Sequence, residues 1–387
     1  MKILVLGAYY SNNLGDGVIC ECVAARLKKN FPDAEVYVRD IVDRNDFECF
    51  EGVSYQELRR RAKREKLRKL ATKCGWDKTL THEENRLKQS LSHIEEICSN
   101  TCDFVVVAGG QLFMDRYFLF LSEYIRRMTE MEIPVYLNAC GTGPIYSRTI
   151  RQRFSEALKS PYVRLISCRD DAALVQKLYA GMDRRVMETF DPALWCGDVY
   201  NVKKDTRSDV IGLGLMYTKS VDSEKAALFW IKLIRQLEKN GKKWKIFVNG
   251  SEDDIVFARY VLSGLPELEG AFEEYCMPVP KRPDELIAMV ASFRSIISFR
   301  LHSHIIAASL DVPSIAVVWD DKLRFYFRKI GHEERCITVD TDSMEVIRRL
   351  DRAEAEGYDR DMIEEQKKYA DHLLNRAICE DLEQEYL

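Results

Sequence analysis

In Ser298-Phe299-Arg300-Leu301-His302-Ser303-His304, an arginine and a histidine stand two residues apart where a buried apolar run gives way to the helical pattern Ile305-Ile306-Ala307-Ala308. A guanidinium makes bidentate hydrogen bonds to a carboxylate or phosphate, and an imidazole with an ordinary pKa of about 6.5 moves protons near neutrality. The pair therefore suits an anionic substrate that gains or loses a proton. His304, two residues on, points about 200° away from His302 on a helix and is read as structural. Lys322, in Trp319-Asp320-Asp321-Lys322, follows the next apolar run and brings a second cation to the same edge. Arg169, in Ser167-Cys168-Arg169-Asp170, serves either a substrate anion or an aspartate of the fold, and Asp170 is placed to cap the next helix. A further aspartate lies in the extended turn Asp191-Pro192-Ala193.

Three small-residue loops accompany these groups. Asn13-Leu14-Gly15-Asp16 follows the first apolar run, and Asp16 fits equally as the cap of a helix from Gly17 and as a site residue. Gly109-Gly110-Gln111 and Asn138 to Pro144 follow two later runs, where paired glycines permit close backbone approach to a ligand. The glycine spacing is neither G-x-G-x-x-G nor a P-loop, and the histidines and serines match neither H-E-x-x-H nor G-x-S-x-G.

These loops need elements to hold them. Short Val/Ile-rich runs alternate with helical patterns, which predicts an α/β fold with parallel sheets. Strands are predicted at Ile3 to Leu6, Glu35 to Val38, Phe104 to Ala108, Val135 to Asn138, Leu165 to Ser167 and Val186 to Glu188. A second series covers Val210 to Leu215, Trp244 to Val248, Ile296 to Ser298, Ser314 to Val317 and Cys336 to Val339. Helices are predicted from Gly17, Phe118, Thr149 and Asp170, and near Asp222, Glu252, Pro283, His302 and Asp321. With 387 residues the chain suits two domains, and the polar stretch Gly197 to Asp209 separates residues 1–200 from 209–350. An acidic helical tail follows from Asp351 to Leu387, suited to docking back across that boundary.

The formal charge of −4 gives no drive toward nucleic acid. The charge-free stretch Ile133 to Ser147 is too short to span a membrane, and the N-terminal apolar run is too short for a signal peptide, so the reading is cytoplasmic. The 12 cysteines lack the paired C-x-x-C spacing of a zinc site, so no metal is expected and the thiols are read as reduced. Residues 56–100 form a helical insertion in which Arg59 to Lys73 holds nine basic residues against the single acid Glu65. That run suits a solvated helix face, or else peripheral contact with an anionic membrane at its inner face or with a polyanionic acceptor.

Taken in order, Asn13-Leu14-Gly15-Asp16, Gly109-Gly110, Ser167-x-Arg169-Asp170, Asp191-Pro192-Ala193, Arg300-x-His302 and Lys322 resemble the polysaccharide pyruvyl transferase family over about residues 1–330. The resemblance implies two Rossmann-like domains with parallel sheets facing a central cleft, as in GT-B glycosyltransferases. It also implies transfer of pyruvate from phosphoenolpyruvate, as substrate rather than tightly bound cofactor, to a sugar of a cell-surface glycan or a lipid-linked precursor, as a ketal. On that basis Arg300, Leu301 and Arg169 bind the donor, His302, Lys322 and Asp16 act in catalysis, and Asn13, Gly15, Gly109, Gly110 and Gln111 line the acceptor side. Gln111 stands where many relatives have a third glycine. A nucleotide-sugar glycosyltransferase of the same architecture and a non-catalytic glycan- or anion-binding relative are the competing readings.

Overall fold

Branched aliphatic runs of four to eight residues pair into parallel strands, and the amphipathic segments between them cover both sheet faces. The computed structural model describes residues 1–47, 53–100, 102–178, 185–268 and 272–385. One sheet holds β1 (Lys2–Gly7), β2 (Glu35–Asp40), β3 (Phe104–Val107), β4 (Gly110–Phe113), β5 (Val135–Thr142), β6 (Val163–Cys168) and β7 (Met187–Glu188). Its order is β2-β1-β3-β5-β6-β7, with β4 beside β5. The other holds β8 (Val210–Gly214), β9 (Lys243–Phe247), β10 (Ser295–Ser298), β11 (Ser314–Val317) and β12 (Cys336–Ile337), in the order β12-β11-β10-β8-β9. All of these pairings are parallel. In each sheet the first strand lies between the second and third, so the order switches beside it and a ligand crevice opens at the carboxyl ends.

The predicted strands form, with β5 running four residues past Asn138. β4 is an addition. Gly109 and Gly110 have φ of +109° and +85°, and a Cβ on Gly109 would come within 2.9 Å of the carbonyl oxygens of Asn138 and Ala139. The glycine pair thus folds Gln111 to Phe113 onto β5 instead of leaving them in a loop. Three helix starts also move. The first helix is Leu14–Asn30, with Asn13 in the cap position and Asp16 inside the first turn, so Asp16 is not the cap. The helix expected from Phe118 is Asp115–Glu130, because the Asp115 carboxylate accepts from the amides of Tyr146 and Ser147 and anchors an earlier start. The helix expected from Asp170 is Ala172–Leu178, and Asp171 rather than Asp170 accepts from a first-turn amide, that of Leu174.

Each sheet has an outer core, built on Leu4, Val105 and Phe118 in one half and on Leu213, Trp230 and Ile297 in the other. A third apolar cluster joins the halves, packing Val18, Ile19 and Val23 with Ile287, Val290, Ile305 and Ile306. Asp351 falls within the helix Ser343–Glu356, whose Val346, Ile347 and Leu350 pack on the second sheet. The last helix, Arg360–Glu385, returns to the first half, pairing Asp371 with Arg26, Asp381 with the Tyr136 hydroxyl, and Lys367 with Asp198 at 2.9 Å. The insertion consists of the helices Tyr55–Lys73, Lys78–Gln89 and Leu91–Ser99. No described helix is long and apolar enough to cross a membrane.

The last helix is a structural clamp, since Leu374 and Ile378 complete the joining cluster. Ile378→Ala is expected to destabilise the protein by about 2–5 kcal/mol, read from urea unfolding. A change below about 0.5 kcal/mol would mean that this helix does not close the core.

Candidate functional site

β10 ends at Ser298, whose Oγ accepts from the Arg300 amide at 3.1 Å, and the chain turns directly into the helix Leu301–Ser309 with Arg300 in the cap position. That corner carries His302 out of the second half and into the first. Its buried ring has Nδ1 3.3 Å from Asn13 Nδ2 and Nε2 3.1 Å from Arg169 Nη1. A Cβ on Gly15 would overlap the ring itself, so only glycine at that point of the first helix lets the imidazole seat. Asn249 holds the same junction, its carbonyl accepting from the Leu14 amide at 3.0 Å and its Oδ1 from the Ser303 hydroxyl at 2.9 Å.

Cations surround this histidine. Arg169 is buried and paired with Asp191, which lies 3.9 Å from His302 Nε2. A Cβ on Gly141 would come within 2.8 Å of Arg169 Nε, so a glycine near the end of β5 makes room for the guanidinium. Arg300 donates from Nε to Asp254 Oδ2 at 2.8 Å, and burial raises Asp254 to a pKa of about 6 against the opposing pull of Arg300. Lys322 Nζ lies 3.1 Å from Gln111 Oε1 and 4.4 Å from the Trp319 ring centre, with no ion pair among the described residues. Burial, with the fields of Arg169 and Arg300, lowers its pKa to about 8 despite Asp320. Gln111 in turn donates to the Thr142 carbonyl at 2.9 Å, so it links the two halves.

The proton inventory differs from the sequence expectation for His302. Burial, and then the charges of Arg169, Lys322 and Arg300, push its pKa well below 6.5, so the ligand-free imidazole is neutral at neutral pH. Burial raises the pKa of Asp16, whose carboxyl lies 3.4 Å from Asn13 Nδ2. Asn13 Oδ1 is buried without a partner, while both nitrogens of a neutral His302 face donors. Turning the Asn13 carboxamide over lets Oδ1 accept from Nδ1–H while Nε2 accepts from Arg169, and moves the unpartnered position from the amide oxygen to the amide nitrogen.

The structure thus brings together Asn13, Gly15, Asp16, Arg169 and His302, and joins Gln111 to Lys322. Leu301 lines a small cavity with Arg169, Asp191 and Lys322. Gly110 borders Asp16, since a Cβ there would lie 3.4 Å from Asp16 Oδ1, whereas Gly109 shapes the backbone only. His304 faces away, with Nε2 2.9 Å from the Ser298 carbonyl and a pKa lowered to about 4 by burial. Asp170 does not cap a helix; it accepts from the Thr142 amide at 2.9 Å and from the Thr142 hydroxyl at 3.2 Å, because Thr142 faces it from β5. Sequence reading missed Asp254 and Asn249. Asp254 stands in an acidic helix start, Glu252-Asp253-Asp254, where nothing in the residue types marks one carboxylate as buried.

The family model described as polysaccharide pyruvyl transferase matches residues 13–321. A search of curated proteins finds no matching relative. Among solved structures, UDP-GlcNAc 2-epimerase from Neisseria meningitidis bound to UDP-GlcNAc is 11% identical with a TM-score of 0.56, covering 98% of this chain and 100% of its own. UDP-GlcNAc 2-epimerase from Methanocaldococcus jannaschii, in complex with UDP-GlcNAc and UDP, is 10% identical with a TM-score of 0.53, covering 90% and 92%. These likenesses establish the GT-B type of fold, with its parallel sheets.

The His302 environment is open to direct measurement. In the ligand-free protein the ring nitrogens of His302 are expected to show a neutral imidazole at pH 6.5 in ¹⁵N NMR. A half-protonated ring at that pH would contradict the cationic enclosure.

Proposed function

The chain belongs to the polysaccharide pyruvyl transferase family, and from that premise we propose that it moves pyruvate from phosphoenolpyruvate to a sugar of a cell-surface glycan or its precursor, closing a ketal. The observation that carries this reading is the convergence of Arg169, Arg300 and Lys322 on one buried neutral imidazole. A carboxylate and a phosphate on one small substrate need several fixed cations, and here two guanidiniums are held by Asp191 and Asp254 while Lys322 has no carboxylate partner among the described residues.

Protonation states assign the roles. Neutral His302 takes the proton of the first sugar hydroxyl as its oxygen bonds to C2 of the enol, and C3 receives a proton from the buried carboxyl of Asp16. The second hydroxyl then bonds to C2 as the C2–O bond to phosphate breaks, and its proton leaves with the phosphate. His302 then gives up its proton and Asp16 regains one through solvent as the products leave. Bound substrate anions offset the cationic field on His302 and make it the stronger base that the first step needs. His302→Ala is expected to lower kcat by about 10²- to 10⁴-fold.

Donor identity is tested by thermal shift with phosphoenolpyruvate beside UDP-GlcNAc, the ligand of the solved neighbours. Phosphoenolpyruvate is expected to raise the melting temperature, and Lys322→Gln to weaken its binding at least about tenfold, roughly the 1.4 kcal/mol of one charge-assisted contact. The anion favours charged Lys322, so affinity falls as pH rises through about 8, and Lys322→Arg removes that dependence. Stabilisation by UDP-GlcNAc alone would establish the glycosyltransferase reading instead.

The insertion adds a second element to this reading, contact with an anionic membrane. Its first helix and the turn after it expose Leu67 (65%), Leu70 (56%) and Trp76 (73%) among exposed Lys63, Arg64, Lys66 and Lys73. Positions 63, 66, 67, 70 and 73 share a helical face, and an apolar stripe edged by lysines matches an anionic bilayer surface. Leu67→Glu with Trp76→Glu is expected to abolish co-sedimentation with phosphatidylglycerol vesicles while leaving the phosphoenolpyruvate response intact. Equal co-sedimentation by the variant would exclude this face.

A further inference from the structure

The inner side of the same insertion raises a separate question. It roofs a cavity of about 690 Å³ over the start of the helix Asp115–Glu130 and the turn after β5. Five cationic side chains line it: Arg61, Arg68, Lys69, Arg86 and Arg116. Three carboxylates share the walls, but two of them are already engaged. Glu65 is bound by Lys69 and by Lys219 from the second half, and Glu83 by Arg86. Asp115 is the third, and it is turned to the amides of Tyr146 and Ser147, with a pKa raised to about 6 mainly by burial.

Arg68 and Arg116 are therefore left over. Among the described residues neither has a carboxylate partner; Arg68 Nε is buried with no hydrogen-bond partner, and Arg116 lies over the Tyr117 ring. Their charges, with that of Arg86, converge on His82 in the cavity wall and lower its pKa, after burial as the first cause. Unpaired guanidiniums facing one hollow repel one another, and the half-buried Arg68 also loses hydration; an anion bound there offsets both. The space is of the size that takes a small molecule, and several guanidinium forks suit an oxyanion with three or more acceptor oxygens better than a single carboxylate.

We propose that this cavity is a binding site for a phosphate or diphosphate group. Its position says what could carry that group. Met114 and Pro144 form one wall, and between them and the catalytic cluster stands Gly143, whose added Cβ would lie 2.8 Å from Met114 Cβ and 3.1 Å from Gln111 Nε2. Gln111 holds Lys322. The cavity thus backs onto the Gln111 end of the cleft, so the group belongs to the acceptor, extending away from the reacting sugar. This last assignment rests on the transferase reading above; the anion site itself does not.

The test is isothermal titration with sodium diphosphate, carried out on full-length Lys322→Gln protein so that the anion site of the cleft does not compete. Diphosphate is expected to bind, and adding Arg68→Gln with Arg116→Gln to weaken it at least tenfold. Arg68→Lys with Arg116→Lys is expected to recover part of the affinity, which a merely misfolded insertion would not allow. No binding to the Lys322→Gln protein, or equal binding after the glutamine changes, overturns the proposal. Phosphoenolpyruvate binding to otherwise wild-type protein carrying only Arg68→Gln and Arg116→Gln stays unchanged, so failure of the donor reading and failure of this one are told apart. Phosphatidylglycerol vesicles then identify the source: displacement of diphosphate supports the site with a lipid headgroup as its ligand, and no displacement supports it with a phosphate carried by the acceptor.

Discussion

The buried pair of Arg169 and Asp191 is the constraint around which the site is organised. Taking two charges out of water costs several kcal/mol per ion, and removing one partner of such a pair typically costs about 3–5 kcal/mol. Both ends are therefore fixed by further contacts: Asp191 Oδ1 accepts from the Ala193 amide at 2.8 Å, and Gly141 leaves the space that the guanidinium fills. Held there, Arg169 sets the state of its neighbours. It helps to keep His302 neutral and to lower the pKa of Lys322, and it draws against the burial that raises the pKa of Asp16. One immobile cation thus distributes protons over three groups from two halves of the chain.

The same arrangement needs the halves to meet. His302 reaches across to the helix Leu14–Asn30, Lys322 to Gln111 on β4, and the insertion crosses in the other direction, where the Tyr55 hydroxyl donates to Ser223 at 2.8 Å and Tyr55 stacks on Tyr260 at 4.0 Å. Apolar packing through Val18, Ile287 and Ile306, and the returning last helix, keep the far side of the junction shut. The contacts at the cleft include polar ones, Gln111 with Lys322 and His302 with Asn13 and Arg169, and these are the ones that substrates have to loosen. Separation there exchanges protein hydrogen bonds for substrate hydrogen bonds, at little net cost.

Much of this was legible in the sequence, and the limits were physical. Period and branching located the strands, and a strand-to-helix corner between Phe299 and Leu301 marked Arg300 and His302 without any coordinates. β4 was hidden because Gly109 and Gly110, read as a loop signal, serve here to fold a short strand onto β5. Asp254 was hidden because burial is a property of the packed helix Glu252–Ser263 and not of an acidic triplet. His302 was visible, yet its lowered pKa depends first on burial and then on Arg169, 133 residues away, and neither has a local sequence signature. The basic run of the insertion was equally plain, but which of its cations are spent on Glu65 and Glu83 and which are left over is decided only by folding.

Architecture alone does not select among the chemistries that this fold supports. What separates them is where charge is placed. A nucleotide sugar presents a diphosphate to its enzyme but also a base and a ribose, which are neutral and need shaped, mostly apolar and amide-rich surroundings. In this chain the groups gathered at the junction are cations, a neutral imidazole and the buried carboxyl of Asp16, and burial, with the fields of Arg169 and Arg300, lowers the pKa of Lys322. Buried cations of that kind are best matched by a compact substrate carrying several negative charges close together. Phosphoenolpyruvate is such a substrate, and its enol carbon needs one base and one acid on either side of the new bond. In the proposed reaction neutral His302 is the base, and Asp16, whose pKa burial raises, is the acid.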